Sequence, residues 1–177
     1  MSSLHTPVSR RDHLEGSRYA RVVIVEYGDF QCGRCGEAYW ELKRLVHAYV
    51  PELALVWRHF PLSRLHPHAL AAAEAAEAAA SQGRFWEMHD LLFENQEDLT
   101  PDAIFSYADE LGLDLSTFVR ETLEHGHRER IERDVLGGTL SGLAGTPGLF
   151  VNGQLIERAS LSQTVDVLLG GGAAATP

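Results

Sequence analysis

Val22-Val23-Ile24-Val25-Glu26-Tyr27-Gly28-Asp29-Phe30-Gln31-Cys32-Gly33-Arg34-Cys35 decides the fold of this chain. The first four residues are a continuous β-branched apolar run, the pattern of a strand buried on both faces. Gly28 to Gln31 lead out of it. Beyond Cys32, apolar residues recur at Cys35, Tyr39, Leu42, Leu45/Val46 and Tyr49. That spacing is helical, and Pro51 stops it. Leu53 to Phe60 reads as a second strand, ended by Pro61. The segment is therefore β-α-β, with two cysteines at the first strand-to-helix junction. In open α/β sheets that carboxyl edge is where ligands bind.

Cys32 and Cys35 are the whole cysteine content of the 177 residues. One helical turn separates them, so a disulfide between them can close and open with little backbone movement. At a helix N-terminus the unpaired N–H groups and the helix dipole favour a thiolate, which makes Cys32 the candidate nucleophile. Gly33 and Arg34 are the candidate tuners of its pKa, the permanent charge of Arg34 favouring the anion. Cys35, further into the helix, is expected to be buried, with a higher pKa, and to act as the resolving thiol. Glu26 interrupts an apolar strand. A buried acid is costly unless it has a task or a partner.

The rest of the chain divides by pattern. Residues 1–17 are polar and read as an extended arm. No strand pattern appears from Leu65 to about Leu143, and 63–142 reads as an all-helical insertion. Pro67 opens an alanine-rich helix that Gly83 ends, and Phe85 to Phe93 is a short apolar helix. Thr100-Pro101 supplies an N-cap and N1 proline, and Gly112 fits the C′ position. Asp114 starts another helix to about Leu123, and a last one runs from about Gly126 to Leu140. Asn152-Gly153 between two short apolar runs signals a hairpin, and Ser160 is expected to cap a final helix. Residues 18–62 and 143–169 then form one α/β domain. The Gly/Ala-rich stretch 170–177 is expected to be a disordered tail.

The formal net charge of −10 argues against nucleic acid or an anionic membrane surface as the main partner. No stretch approaches the length of a membrane span. Met1 to Asp12 has no apolar leader, so the cytoplasm is the expected place if this is the complete gene product. In a reducing compartment a Cys-x-x-Cys pair is more often catalytic or metal-binding than structural. A zinc module built from the cysteines and histidines such as His59, His66, His68 and His89 is the alternative. It needs four ligands, and only one Cys-x-x-Cys is available. His66-Pro67-His68 is expected to begin a helix instead, and no metal site is assigned. Trp86, Met88 and Phe93 read as helix core.

Four motifs carry a resemblance over about residues 8–169. They are Glu26 to Cys35; Phe60-Pro61-Leu62 with His66-Pro67-His68-Ala69; Phe85-Trp86-x-Met88-His89-x-Leu91; and Gly145-Thr146-Pro147-x-x-Phe150-Val151-Asn152-Gly153. The chain resembles the DsbA-like thiol–disulfide oxidoreductases of the thioredoxin superfamily. The resemblance implies a thioredoxin-like fold with an inserted helical subdomain. It implies a protein-disulfide oxidoreductase that exchanges disulfides with protein substrates and is recycled by a redox partner not yet identified, without a cofactor. It implies that Glu26 assists proton transfer at the second cysteine. It also implies that Pro147 is cis and that the Thr146-Pro147 backbone pairs with a substrate strand. Three residues depart from the family pattern: Gly33-Arg34 where Pro-His or Pro-Tyr is commoner, Trp40 in place of a helix-kinking proline, and Gly148 where a larger residue follows the cis-proline. The first leaves the redox potential open. Related glutathione-dependent enzymes usually carry a single Ser or Cys, so the intact pair counts against that chemistry.

Overall fold

A computed structural model describes residues 2–170. Five strands form one mixed sheet: β1 (His13–Gly16), β2 (Val22–Gly28), β3 (Leu53–His59), β4 (Gly148–Val151) and β5 (Gln154–Ile156). Their spatial order is β1-β3-β2-β4-β5. β2 and β3 run parallel, with Val22 opposite Leu53 and Gly28 opposite His59, and the other three pairings are antiparallel. The parallel pair is joined through α1 (Gly33–Tyr49), as a parallel connection requires.

Side chains alternate across β2 and β3 and separate two layers of core. Val22, Ile24, Leu53 and Leu55 face Leu42 and Val46 of α1 and Val165 of α7 (Leu161–Leu169). Val25, Tyr27, Val56 and Phe60 face the other way, against Val135, Leu143 and the N-terminal Leu4. Both central strands are covered on both sides, which is why they read as unbroken apolar runs. Glu26 shares the register of Val22 and Ile24 and so points to the α1 face.

The stretch from β3 to β4 holds α2 (Ala69–Ser81), α3 (Phe85–Glu94), α4 (Pro101–Glu110), α5 (Leu115–Leu123) and α6 (Arg128–Leu140). Thr100 Oγ1 accepts the Ala103 N–H, and Asp114 accepts the Thr117 N–H, so two helix starts are capped by the residues the sequence marks. The alanine helix begins at Ala69, two residues after Pro67. Ser160 precedes α7 through a 3-10 turn, Arg158–Ser160, and its hydroxyl makes no capping bond. Asn152 (φ 47°) and Gly153 (φ 82°) form the tight turn between β4 and β5.

Residues 13–16, inside the stretch read as an extended arm, are the edge strand β1. The residues before it wrap the opposite side of the molecule. Ser3 bridges to Gln154, and Leu4 N–H donates to the Gly153 carbonyl at 2.8 Å. Arg58, 2% exposed, gathers the arm: it donates to the carbonyls of Thr6 (2.8 Å) and Pro7 (3.1 Å) and to Asp12 (2.8 Å). The expected disordered tail, apart from Gly170, lies outside the described residues.

Candidate active site

The turn between β2 and α1 is organised by Asp29, 1% exposed. Its Oδ1 accepts the Gln31 N–H at 2.8 Å. Its Oδ2 accepts the Leu62 N–H at 2.8 Å and meets His66 Nδ1 at 2.7 Å. The Gln31 side-chain oxygen accepts the His68 N–H at 2.7 Å. Both histidines of the His66-Pro67-His68 segment thus hold the loop after β3 against the turn that presents Cys32.

Cys32 is the N-cap of α1, in an extended conformation, and its carbonyl accepts the N–H groups of Cys35 (2.9 Å) and Gly36 (3.1 Å). Neither cysteine is bonded to another. Cys32 is 6% exposed and Cys35 0%, so only the first can be met by another molecule. The Cys32 thiol is pushed down to about 5. A hydrogen bond from the Cys35 thiol contributes most, burial opposes it, and the Thr146 side chain and the N–H groups of Cys35 and Arg34 add to it. Arg34 therefore acts on the sulfur through its backbone N–H, while its exposed side chain lines the adjacent groove. Gly33 is also exposed, with open space where a Cβ would stand. Burial drives the Cys35 thiol far above its ordinary value, and its bond to Cys32 adds to the shift.

Glu26 lies behind the pair, 1% exposed, with Oε1 lacking any hydrogen-bond partner. Burial raises its carboxyl to about 8, and the charge of Cys32 contributes. Across from Cys32, the Thr146 carbonyl stands 3.7 Å from Sγ, and the Thr146–Pro147 peptide bond is cis. Thr146, Pro147, Gly148, Leu143, Arg34 and Ile156 are among the residues lining a groove of about 740 Å³ beside the sulfur. A Cβ built on Gly148 would lie 2.4 Å from Leu143 Cδ1. Leu143 thus fills the space that a larger residue after Pro147 would take, a physical reason for that departure.

Two site features escape sequence reasoning. Asp29 could have been found from its place just before a helix start, where Asp commonly folds back on nearby N–H groups. Gln96, between α3 and α4, carries no local signal. Its Nε2 donates to the carbonyls of Phe30 (2.7 Å) and Cys32 (3.0 Å).

His13, His59 and His89 are structural. His59 Nδ1 accepts from Trp57 Nε1 at 3.2 Å, so its Nε2 carries the proton donated to Glu77 at 2.8 Å. His13 (2.7 Å) and Arg130 (2.6 Å) reach the same carboxylate oxygen. His13, His59 and Glu77 are the one group of three metal-type ligand atoms close together among the described residues. The tautomer of His59 and the Arg130 contact make this an ion-pair knot, and neither cysteine belongs to it. His89 is buried among Phe30, Tyr39, Trp57 and Phe93.

A family model described as thioredoxin matches residues 9–169. Among solved structures, a thioredoxin-like oxidoreductase from Silicibacter pomeroyi is 27% identical, with a TM-score of 0.79 covering 93% of this chain and 95% of that one. BdbD from Bacillus subtilis is 19% identical, with a TM-score of 0.81 over 96% and 99%, a likeness of fold. A curated relative, Na(+)/H(+) antiporter NhaA 1 of Salinispora arenicola, is 48% identical over 144 residues, 81% of this chain. The match spans 22% of that relative's length.

Proposed function

The chain belongs to the thioredoxin family, and from that membership and its site we propose that it is a DsbA-like protein-disulfide oxidoreductase. The observation that carries the reading is a sulfur at a helix start, Cys32, one turn from a second, fully buried thiol, Cys35, and facing the Thr146 carbonyl at 3.7 Å. The Cys32 thiolate attacks one sulfur of a substrate disulfide. The substrate S–S bond breaks, its other sulfur leaves as a thiolate and takes a proton, and a mixed disulfide forms on Cys32. Cys35 then loses its proton and attacks Cys32 Sγ. The substrate leaves with both sulfurs reduced, and Cys32–Cys35 is oxidised. The reverse sequence oxidises a substrate dithiol.

Glu26 supports this order of events. Forming the mixed disulfide removes the negative charge from Cys32, one of the two causes that raise the Glu26 carboxyl. Glu26 then holds its own proton less tightly and is freer, as carboxylate, to receive the proton of Cys35. An extended protein segment fits the groove lined by Thr146, Pro147 and Gly148, where it would pair with the backbone as an added strand. The curated relatives, named as Na(+)/H(+) antiporters, are much longer than this chain, which spans about a quarter of their length. No described helix is long and apolar enough to cross a membrane.

The test is insulin reduction by dithiothreitol with and without the protein. The parent accelerates precipitation and Cys32→Ser does not. Equal activity of parent and variant would refute the proposal.

A further inference from the structure

We propose that Gln96, contributed by the helical insertion, is a positioning residue that holds Cys32 in register over the first turn of α1. The inference rests on the reading of Cys32 and Cys35 as the redox pair. The Gln96 amide nitrogen donates to two carbonyls at once, those of Phe30 and Cys32, which flank the turn residue Gln31. The Cys32 carbonyl thereby accepts three hydrogen bonds, two from α1 itself and one from the insertion. Cys32 has φ −79° and ψ 115°, the extended geometry of an N-cap. Only in that geometry does its side chain lie over the N–H groups of Arg34 and Cys35. A donor fixed on its carbonyl restrains ψ, and a donor on the Phe30 carbonyl restrains the approach to the turn.

The opposite end of the same amide explains a glycine. Gly36 lies in the first turn of α1, and a Cβ there would stand 2.4 Å from Gln96 Oε1. Glycine costs helix stability at such a position. Its lack of a side chain is what lets the amide lie flat across the helix start. Glu94 and Glu97, on either side of Gln96, are exposed and point no charge into this contact. The titratable group that acts on Cys32 is Cys35, and the Gln96 amide bonds to backbone carbonyls rather than to any titratable group.

The experiment measures the pH dependence of Cys32 alkylation by iodoacetamide, together with thiolate absorbance, in four proteins: parent, Gln96→Ala, Gly36→Ala and the double variant. Gln96→Ala raises the alkylation midpoint by about half a pH unit, a roughly threefold loss of thiolate at a pH below the midpoint. Gly36→Ala pushes the amide off and gives the same shift, although alanine favours the helix. The double variant shifts no further than either single one. Gln96→Glu, which sets a carboxylate against two carbonyls, shifts at least as far as Gln96→Ala. Two results overturn the proposal: an unchanged midpoint in Gln96→Ala with only a lower melting temperature, or shifts of the two single variants that add in the double one. The readout needs no turnover, so a failed insulin assay and a failed Gln96 test remain separate outcomes.

Discussion

Glu26→Gln should stabilise the reduced protein at neutral pH and leave it unchanged in acid. The carboxyl is raised from 4.5 to about 8 in the fold, first by burial and then by the Cys32 charge. A raised folded-state value means that the native state binds the proton more tightly than the unfolded chain. Stability is then fully present below pH 4.5 and is lost as pH rises through 8. At about 1.4 kcal/mol per unit, the accumulated cost is roughly 3 kcal/mol at pH 7 and about 5 kcal/mol near pH 9. Glutamine keeps a neutral polar group of the same shape, so its burial matches that of the protonated acid. For a chain of this length the difference at pH 7 corresponds to roughly 6–12 °C in melting temperature. Thermal unfolding of parent and variant at pH 4, 7 and 9, in a phosphine reductant, reads it directly. The two melting curves converge at pH 4 and separate progressively above it. A difference that is the same at all three pH values would refute the reasoning, because it would place the effect in packing and not in ionisation.

Other outcomes follow from single contacts. Iodoacetamide should label Cys32 with a midpoint near pH 5 and leave Cys35 unlabelled, as mass spectrometry after proteolysis will show. The same lowered value adds stability to the reduced state that is fully present above pH 9 and disappears as pH falls through about 5. Gly148→Val displaces Leu143 from the groove, so KM for a peptide disulfide should change severalfold, while the alkylation midpoint of Cys32 stays put. Gly28→Ala sets a Cβ 2.2 Å from the ring of the fully buried Trp57 and should cost about 3 kcal/mol or more in urea unfolding. Arg58→Leu removes a buried cation from Asp12 and from two arm carbonyls. It should cost about 3 kcal/mol and expose residues 2–12 to limited proteolysis; an arm as resistant as the parent's would contradict its assigned anchor.

The β-α-β start was legible because each of its signals is local. Val22 to Val25 is an unbroken β-branched run, Tyr39 to Tyr49 has helical spacing, and the cysteines sit where the two meet. The Asn152-Gly153 hairpin and the Thr100 and Asp114 caps are equally local, since each depends on residues within a few positions. Residues 13–16 were not legible as a strand. His13-Leu14-Glu15-Gly16 is an edge strand whose polar residues face outward or pair with Glu77 and Lys43, so it carries no apolar run to notice. The site divides in the same way. Cys32, Cys35 and Glu26 stand out by type and spacing. Gln96 acts through a contact 64 residues away in sequence from Cys32, and no local rule singles out one glutamine between Asn95 and Glu97. The reason for Gly148 likewise required seeing where Leu143 lies.

The alanine helix α2 has a consequence for how this protein can change over time. Ala72, Ala75, Ala76, Ala78 and Ala79 are all fully buried, and the neighbouring turns hold the buried, paired acids Glu74 and Glu77. The helices around α2 lie close because methyl groups are all that separate them. A larger side chain at any of these five positions would have to wedge neighbours apart, while glycine would weaken the helix itself. At those five positions the room left by a methyl group sets which substitutions the fold accepts.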